Sequence, residues 1–155
     1  MLVVRPEDPD SPAALRCLGE YYAELDRRFE TGFNPDDKDY AGTDAPRPPH
    51  GVFLLAWLDG AAVGCGALLR HDGVTGEIKR MWVAPAARGQ GVARHLLAAL
   101  EDAGRGMGLR AIRLDTNRAL KEAQAFYGRA GYSAIARYSG NPYAHHWFEK
   151  ILANP

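Results

Sequence analysis

Two adjoining apolar runs constrain the fold of this chain more than any other part of its sequence. Residues 52–58 (VFLLAWL) and 61–70 (AAVGCGALLR) are almost continuously apolar, which is typical of strands covered on both faces. Asp59-Gly60 separates them, and this dipeptide is a strong hairpin signal. The pair therefore predicts an antiparallel hairpin inside a mixed sheet that carries helices on both faces.

The rest of the chain alternates between short strands and amphipathic helices. Further strands are predicted at residues 2–5, 77–83, 110–117, 132–138 and 145–152. Helices are predicted from Ser11-Pro12 onward, from residue 92 to the glycines at 104–108, and over residues 121–131. The order β-α-β-β-β-α-β-α-β-β predicts an α/β (α+β) fold, in one domain over residues 1–155.

Apolar spacing predicts which side of each helix is buried. In the first helix, spacings of three and four predict a buried stripe of Leu15, Leu18, Tyr22, Leu25 and Phe29. The second helix buries Val92, Leu96, Leu100 and Ala103 by the same rule. Residues 32–51 are rich in Pro, Asp and Gly and predict a long loop with one short helical turn, a kind of segment that is often functional.

Composition excludes several classes of function. The chain has 155 residues, and its 19 Lys and Arg balance 19 Asp and Glu, so no global field favours nucleic acid or an anionic membrane. Cys17 and Cys65 lie in a helix and a buried strand and are expected to be reduced core residues. No signal sequence and no apolar run of about 18 residues is present, so a cytoplasmic protein is expected.

A glycine-rich loop precedes the second helix. Gly89 and Gly91 stand where a helix normally takes a capping side chain. Since the first-turn N–H groups of a helix are unpaired and its dipole is positive there, the stretch predicts a site for a phosphate, with Arg88 as a nearby charge. A P-loop would need G-x-x-x-x-G-K-[ST], and a dinucleotide fingerprint would need Gly or Ala where Arg94 stands.

The remaining interpretation is R-x-x-G-x-A, which runs from Arg88 to Ala93 after the strand that ends at Val83. This stretch resembles the acyl-CoA pyrophosphate loop of the GNAT superfamily of N-acetyltransferases. The segment LDTN…AxxFYxRxGY, residues 114–132, resembles the second cofactor segment of that family. The order of elements from Leu2 to Leu152 is also similar to a whole GNAT domain.

The resemblance implies a mostly antiparallel sheet of about seven strands whose fourth and fifth strands splay apart, with main-chain hydrogen bonds ending near Trp82 and Asp115. It implies acetyl-CoA as co-substrate, with its pantetheine arm in the gap. The implied cofactor-binding residues are Met81, Trp82, Val83, Arg88, Gly89, Gln90, Gly91, Val92, Ala93, Asn117 and Phe126.

The implied reaction is direct attack of a primary amine on the thioester through a tetrahedral intermediate. Tyr127 occupies the family position of the acid that protonates the leaving thiolate, and Glu77 that of the general base. A main-chain N–H at a strand bulge near Trp82 would stabilise the oxyanion. Alternatives remain open, since Glu77 could pair with Arg70 or Arg113 and Tyr127 could be a core tyrosine.

By the resemblance, the acceptor groove involves the first helix and the loop between the last two strands. The implied substrate-binding residues are Tyr21, Glu24, Arg28 and Tyr143. The first three share a helical stripe opposite Leu18 and Leu25, which could equally be solvated surface. This mixed lining favours a small polar amine over a protein tail.

Two alternative functions stay open: acetylation of a protein or peptide amine, and a non-catalytic acyl-CoA-binding module. His145 and His146 are neighbours on a predicted strand and so point to opposite faces, and no metal is expected. The expected partner is a small-molecule amine, with a homodimer as an open possibility and neither nucleic acid nor membrane.

Overall fold

The computed structural model of the chain describes residues 1–41 and 45–152. Residues 42–44 of the predicted loop and residues 153–155 of the predicted domain lie outside the described residues. Within the described ranges, no helix is long and apolar enough to cross a membrane.

Strands and helices alternate much as the sequence predicts. The strands are β1 (Leu2–Pro6), β2 (Gly51–Leu58), β3 (Ala61–Arg70), β4 (Thr75–Val83), β5 (Ala111–Thr116), β6 (Ser133–Ala134) and β7 (His146–Ile151). The helices are α1 (Pro12–Arg28), α2 (Lys38–Ala41), α3 (Val92–Gly106) and α4 (Lys121–Arg129), with a 3₁₀ turn at Pro85–Ala87. The short α2 is the helical turn predicted inside the long loop.

The described strands form a seven-stranded sheet in the order β1-β2-β3-β4-β5-β7-β6. Neighbouring strands are antiparallel except β4 and β5, which are parallel. β2 and β3 pair from Gly51–Leu69 to Leu58–Ala61, which confirms the predicted hairpin. The predicted fold class, a mixed and mostly antiparallel sheet flanked by helices, is confirmed.

The sheet carries a hydrophobic core on each face. On one face α3 and α4 cover a core that includes Leu68, Leu96 and Ile112. On the other face α1 packs Ala14 and Cys17 against side chains of β2, β3 and β4. Cys17 and Cys65 are both buried and free, as expected.

The buried side of α1 differs from the prediction. Leu15 is 54% exposed, whereas Ala14, Cys17, Glu24 and Leu25 are buried. The small side chains of Ala14 and Cys17 allow the helix to approach the sheet closely. The buried stripe therefore runs through these residues and not through the larger apolar side chains one position further along the helix. As a consequence, Glu24 lies on the same side as Leu25, and the predicted opposition of the polar stripe to Leu25 is wrong.

The strand predicted at residues 132–138 is also wrong in extent. β6 contains only Ser133 and Ala134, although Ile135 N–H still donates to the Trp147 carbonyl at 2.9 Å. The following segment leaves the sheet edge because its side chains bond to carboxylates on the α1 face: Tyr138 to Glu77 and Ser139 to Asp115. These contacts hold the β6–β7 connection over β4 and β5.

β4 and β5 part soon after they pair. Their register includes Thr75–Ala111, Gly76–Ile112 and Glu77–Arg113, and the pairing stops there. The predicted splay is therefore confirmed, but it begins earlier than the expected limit near Trp82 and Asp115. A bulge in β4 follows at Arg80, where the backbone φ is +57°, and a bulge bends its strand.

Candidate active site

A groove follows the gap between β4 and β5 and has three connected parts. An outer groove of about 630 Å³ lies at the N-terminus of α3, and a middle groove of about 330 Å³ lies between α1, the end of β4 and α4. An inner cavity of about 80 Å³ lies where β4 and β5 have separated. Met81 and Tyr127 line both the inner cavity and the middle groove, while Val83 and Phe126 line both the middle and the outer groove. The three parts form one continuous path.

The outer groove ends at unpaired main-chain donors. In the part of the chain that the structure describes, the backbone N–H groups of residues 89–94 have no hydrogen-bond partner. The helical bonding of α3 starts when His95 N–H donates to the Gly91 carbonyl at 3.1 Å. Together with the helix dipole, these donors make a site for an anion.

The two loop glycines give this turn its backbone conformation. Gly89 and Gly91 have φ of +79° and +82°, and Gly91 is the N-cap of α3. Residues with a Cβ are strained in that region. A Cβ at Gly89 would meet no atom within 4 Å, so this position opens on free space that a ligand can occupy.

Arg88 and Glu24 brace the loop against the sheet and α1. Arg88 donates from Nη2 to Glu24 Oε1 at 2.7 Å and from Nε to the Val83 carbonyl at 3.0 Å. Glu24 also accepts from Trp82 Nε1 at 3.3 Å. Burial acts to raise the pKa of Glu24, but the hydrogen bonds from Arg88 and Trp82 outweigh it and lower the pKa. Glu24 is therefore an ionised brace.

Arg28 ties α1 to the start of α4 across the middle groove. Its guanidinium contacts Glu122 and Glu24, and Nη2 donates to the Ala119 carbonyl at 3.2 Å. The hydrogen bond that Arg28 donates to Glu122 is the main cause that raises the pKa of Arg28. The far wall of the middle groove is apolar, with Phe126 and Ala123 from α4.

Tyr127 stands at the junction of the middle groove and the inner cavity. It is only 6% exposed, and its ring lies 5.6 Å from that of Tyr132 in an edge-on arrangement. Burial raises the pKa of the Tyr127 hydroxyl. Among the described residues this hydroxyl has no hydrogen-bond partner, so its proton is available to a group that enters the groove.

Two carboxylates lie on the α1 face of the sheet near the inner cavity. Glu77 accepts from the Tyr138 hydroxyl at 2.6 Å and lies 3.5 Å from Lys79 Nζ. Asp115 lines the cavity and accepts from Ser139 and Asn141 at 2.7 and 3.0 Å. Burial raises the pKa of Asp115, and the charge of Glu77 acts in the same direction against those two hydrogen bonds.

This arrangement of sheet and groove corresponds to a known family. Residues 18–132 match the model of the acetyltransferase (GNAT) family. The chain belongs to this family. As a GNAT protein it is an acyl-CoA-dependent N-acyltransferase, and the predicted resemblance is confirmed.

Two characterised GNAT relatives cover most of the chain. An enzyme named IAA acetyltransferase from Azospirillum brasilense is 35% identical over 133 residues, which are 85% of this chain and 84% of that protein. An aminoalkylphosphonate N-acetyltransferase from Salmonella typhimurium is 35% identical over 132 residues, or 81% of this chain and 79% of that protein.

A solved structure shows the same fold. A GNAT acetyltransferase from Elizabethkingia anophelis with acetyl-CoA bound matches with a TM-score of 0.68 at 15% identity, over 97% of this chain and 98% of that one. In that relative the fold holds acetyl-CoA.

The residues predicted to bind the GNAT cofactor line the groove in chain order, with two exceptions. Met81, Trp82 and Val83 line the middle groove; Arg88, Gly89, Gly91, Val92, Ala93 and Phe126 line the outer groove. Gln90 instead donates to the Ala86 carbonyl at 3.3 Å. Asn117 lies in the inner cavity, where it donates to the Tyr143 carbonyl at 2.7 Å and accepts from Ala119 N–H at 2.8 Å.

The four predicted acceptor residues separate into two places. Tyr21 and Tyr143 line the inner cavity, whereas Glu24 and Arg28 line only the middle groove. Tyr143 packs against Phe33 with ring centroids 4.8 Å apart. The inner cavity therefore has an aromatic wall, and the pair of charges on α1 faces the cofactor side.

Neither of the rival pairings considered for Glu77 is formed. Arg70 donates to the Gly73 and Met107 carbonyls, and Arg113 pairs with Glu149 at 2.6 Å. Among the described residues no cluster of three His, Cys, Asp or Glu is arranged to hold a metal.

Sequence reasoning missed Asp115, Arg80, Phe33 and Tyr40, all of which line the inner cavity. Asp115 could have been found, because alternation along residues 110–117 places it and Arg113 on the face opposite Ile112 and Leu114. Arg80 gave no such signal, since the bulge that turns its side chain interrupts the alternation of β4.

Proposed function

We propose that this protein is an acetyl-CoA-dependent N-acetyltransferase for the primary amine of a small polar molecule. The observation that carries the proposal is the continuous path from free amides at α3, past Tyr127, to a small cavity with a carboxylate in its wall. We extend the proposal to residues 1–155 as one GNAT domain.

The outer and middle grooves suit acetyl-CoA. Free N–H groups at residues 89–94 would hold the diphosphate, and the apolar wall around Phe126 would contact the pantetheine arm. Among the described residues β4 has no strand partner on its β5 side beyond Glu77, so main-chain groups of Met81 to Val83 are available to the pantetheine amides. Acetyl-CoA would supply the thioester carbonyl at the junction beside Tyr127.

Tyr127 is the proposed acid. The amine attacks the thioester carbon directly, and after the carbon–sulfur bond breaks the sulfur must take up a proton. A thiol has a pKa of about 8.5, below the value of about 10 for a free tyrosine, and burial raises the pKa of Tyr127 further. The hydroxyl is therefore protonated when the thiolate forms and can donate to the sulfur. The unpartnered Tyr127 hydroxyl at the groove junction is placed for this step.

Glu77 and Asp115 are the proposed base. Glu77 was predicted for this role, but Asp115, and not Glu77, lines the cavity. Burial raises the pKa of Asp115, and the charge of Glu77 acts in the same direction. We propose that Asp115 takes a proton from the ammonium group of the acceptor, so that the neutral amine attacks, with Glu77 keeping the local charge negative.

The size of the cavity favours a small acceptor over a protein amine. A cavity of about 80 Å³ holds only a few non-hydrogen atoms beyond the reacting amine. One relative supports the same class, since it is named for an aminoalkylphosphonate, which is a small amine.

The direct test is to incubate the protein with acetyl-CoA and a panel of small amines, and to follow free thiol release and the mass of the acetylated product. Amine-dependent thiol release is expected. Tight acetyl-CoA binding without transfer to any amine would indicate a binding module. Transfer only to peptides would indicate a protein acetyltransferase.

A further inference from the structure

Arg80 occupies an unusual backbone position in the wall of the inner cavity. Its φ of +57° lies in the left-handed region, which is strained for a residue with a Cβ. The β3–β4 register shifts here, because Cys65 pairs with Trp82 while Ala67 pairs with Lys79. Strain of this kind persists where the surroundings hold it, and it is concentrated at functional sites.

The bulge places two consecutive cations at the same cavity. In a regular strand Lys79 and Arg80 would point to opposite faces. Here both line the inner cavity, and Arg80 Nε donates to the hydroxyl of Tyr22 on α1 at 3.1 Å. The Lys79 ammonium lies 5.8 Å from the centre of the Tyr40 ring.

The two cations differ in their partners. Lys79 is 3.5 Å from Glu77. The Arg80 guanidinium has no carboxylate within ion-pair distance anywhere in residues 1–41 and 45–152, and its single hydrogen-bond partner there is the hydroxyl of Tyr22. A guanidinium stays protonated in proteins, and a partly buried charge without a counter-ion is unfavourable. An anion beside the guanidinium would remove this cost.

We propose that the acceptor carries an anionic group, a carboxylate or a phosphonate, a few bonds from its amine, and that Arg80 binds this group. This inference rests on the proposed function, whose acceptor space it describes. With Nε held by Tyr22, the two terminal nitrogens of the guanidinium remain as a pair of donors that match two oxygens of such an anion.

Asp115, in another part of the cavity wall, suits the amine end of such an acceptor. Asp115 reaches the cavity from β5, while Arg80 reaches it from β4, and the two are not an ion pair. An ammonium beside Asp115 and an anion beside Arg80 would each meet the opposite charge. A cavity of about 80 Å³ limits the spacer between them to a few carbons.

The test compares acceptors that differ only in charge. Acetylation by the wild type is measured with 3-aminopropionate and 2-aminoethylphosphonate against 3-aminopropanol and propylamine, as kcat/KM for each. We expect the better anionic acceptor to exceed the uncharged ones by at least about thirtyfold, because an unpaired buried charge discriminates strongly. Preference for the carboxylate or for the phosphonate identifies the anion.

The Arg80→Asn variant then tests the residue. Asparagine tolerates positive φ, so the bulge is retained while the charge is lost. The anionic-to-uncharged ratio of kcat/KM should fall by about tenfold or more, and Arg80→Lys should restore part of it. The control is Arg16→Gln, which removes an exposed arginine on α1 and should leave the ratio unchanged.

Three results are decisive. A wild type that acetylates uncharged amines as well as anionic ones overturns the anion site, even if Arg80→Asn fails to fold, and leaves the proposed function standing. If the anionic-to-uncharged ratio of kcat/KM is the same in Arg80→Asn and wild type, Arg80 only braces Tyr22, and the anion site is also overturned. If no amine is acetylated, the proposed function itself fails.

Discussion

The two ends of the groove are built by different means. At the cofactor end the anion site comes from one continuous stretch, residues 83–94, and its proposed ligands are main-chain N–H groups at a helix N-terminus. The acceptor end takes side chains from α1, the segment around Phe33 and Tyr40, β4, β5 and the β6–β7 connection. Recognition by main chain is encoded locally, whereas recognition by side chains depends on the packing of distant segments.

The largest effect is expected from Gly91→Asp at the cofactor end. A carboxylate at the N-cap of α3 would occupy the anion site and repel the diphosphate, so CoA affinity should fall by about a thousandfold or more. Calorimetry with CoA measures this. Gly108→Asp is the control, because Gly108 has a similar φ of +79° and open space around it but lies beyond the end of α3. Equal CoA affinity in Gly91→Asp and wild type would refute the main-chain site.

The next effect concerns the junction between the two ends. Tyr127→Phe keeps the ring in its packing and removes only the hydroxyl, so turnover should fall by about a hundredfold while CoA affinity changes little. Tyr132→Phe is the matched control: its hydroxyl bonds to Glu101 at 2.9 Å, so stability should decrease and turnover should not. If Tyr127→Phe turns over like wild type, Tyr127 is a core residue.

Predictability from sequence follows the same division. The hairpin, the strands β4 and β5 and the glycine loop could be predicted, because Asp59-Gly60, apolar alternation and Gly89–Gly91 each determine backbone locally. Leu15 was misplaced because periodicity alone does not distinguish a stripe of leucines from a neighbouring stripe of Ala14 and Cys17 that packs more closely.

The acceptor side could be predicted only in part. Tyr21 and Tyr143 were found through the resemblance, and both line the inner cavity. Arg80 could not be found, since its orientation depends on a bulge opposite Gly66 that leaves no local signal. The shortened β6 has a similar cause, because Tyr138 and Ser139 bond to carboxylates on strands far away in the chain.

A smaller effect is expected from the carboxylates at the acceptor end. Burial raises the pKa of Asp115 above its usual 3.8, so a reaction that needs its ionised form should lose activity as pH falls through that raised pKa. Asp115→Asn should lower kcat by about tenfold to a hundredfold at neutral pH, with activity recovering as rising pH deprotonates the amine. CoA affinity should not change.

Two further variants sharpen this pH test. Glu77→Gln should give a similar profile with a smaller loss if Glu77 acts through Asp115, and a larger loss if Glu77 is itself the base. Asp102→Asn, an exposed carboxylate on α3, should leave the profile unchanged. Wild-type pH profiles in both Asp115→Asn and Glu77→Gln would mean that neither carboxylate is the base, and that the acceptor ammonium loses its proton to water or without help.

The smallest effect should come from Glu24, whose brace connects the two ends. Its hydrogen bonds to Arg88 and Trp82 lower its pKa below the usual 4.5. The ionised carboxylate therefore stabilises the fold above pH 4.5, and this contribution is lost as pH falls through the folded-state pKa.

Glu24→Gln should lower the free energy of unfolding by about 1–2 kcal/mol at pH 7, measured in urea. That difference should shrink at acid pH, and CoA affinity should fall only about threefold, because Arg88 loses its anchor while the main-chain donors remain. Glu20→Gln, on the exposed side of the same helix, provides the control. A stability difference that persists unchanged at acid pH would show that Glu24 acts by packing rather than by charge.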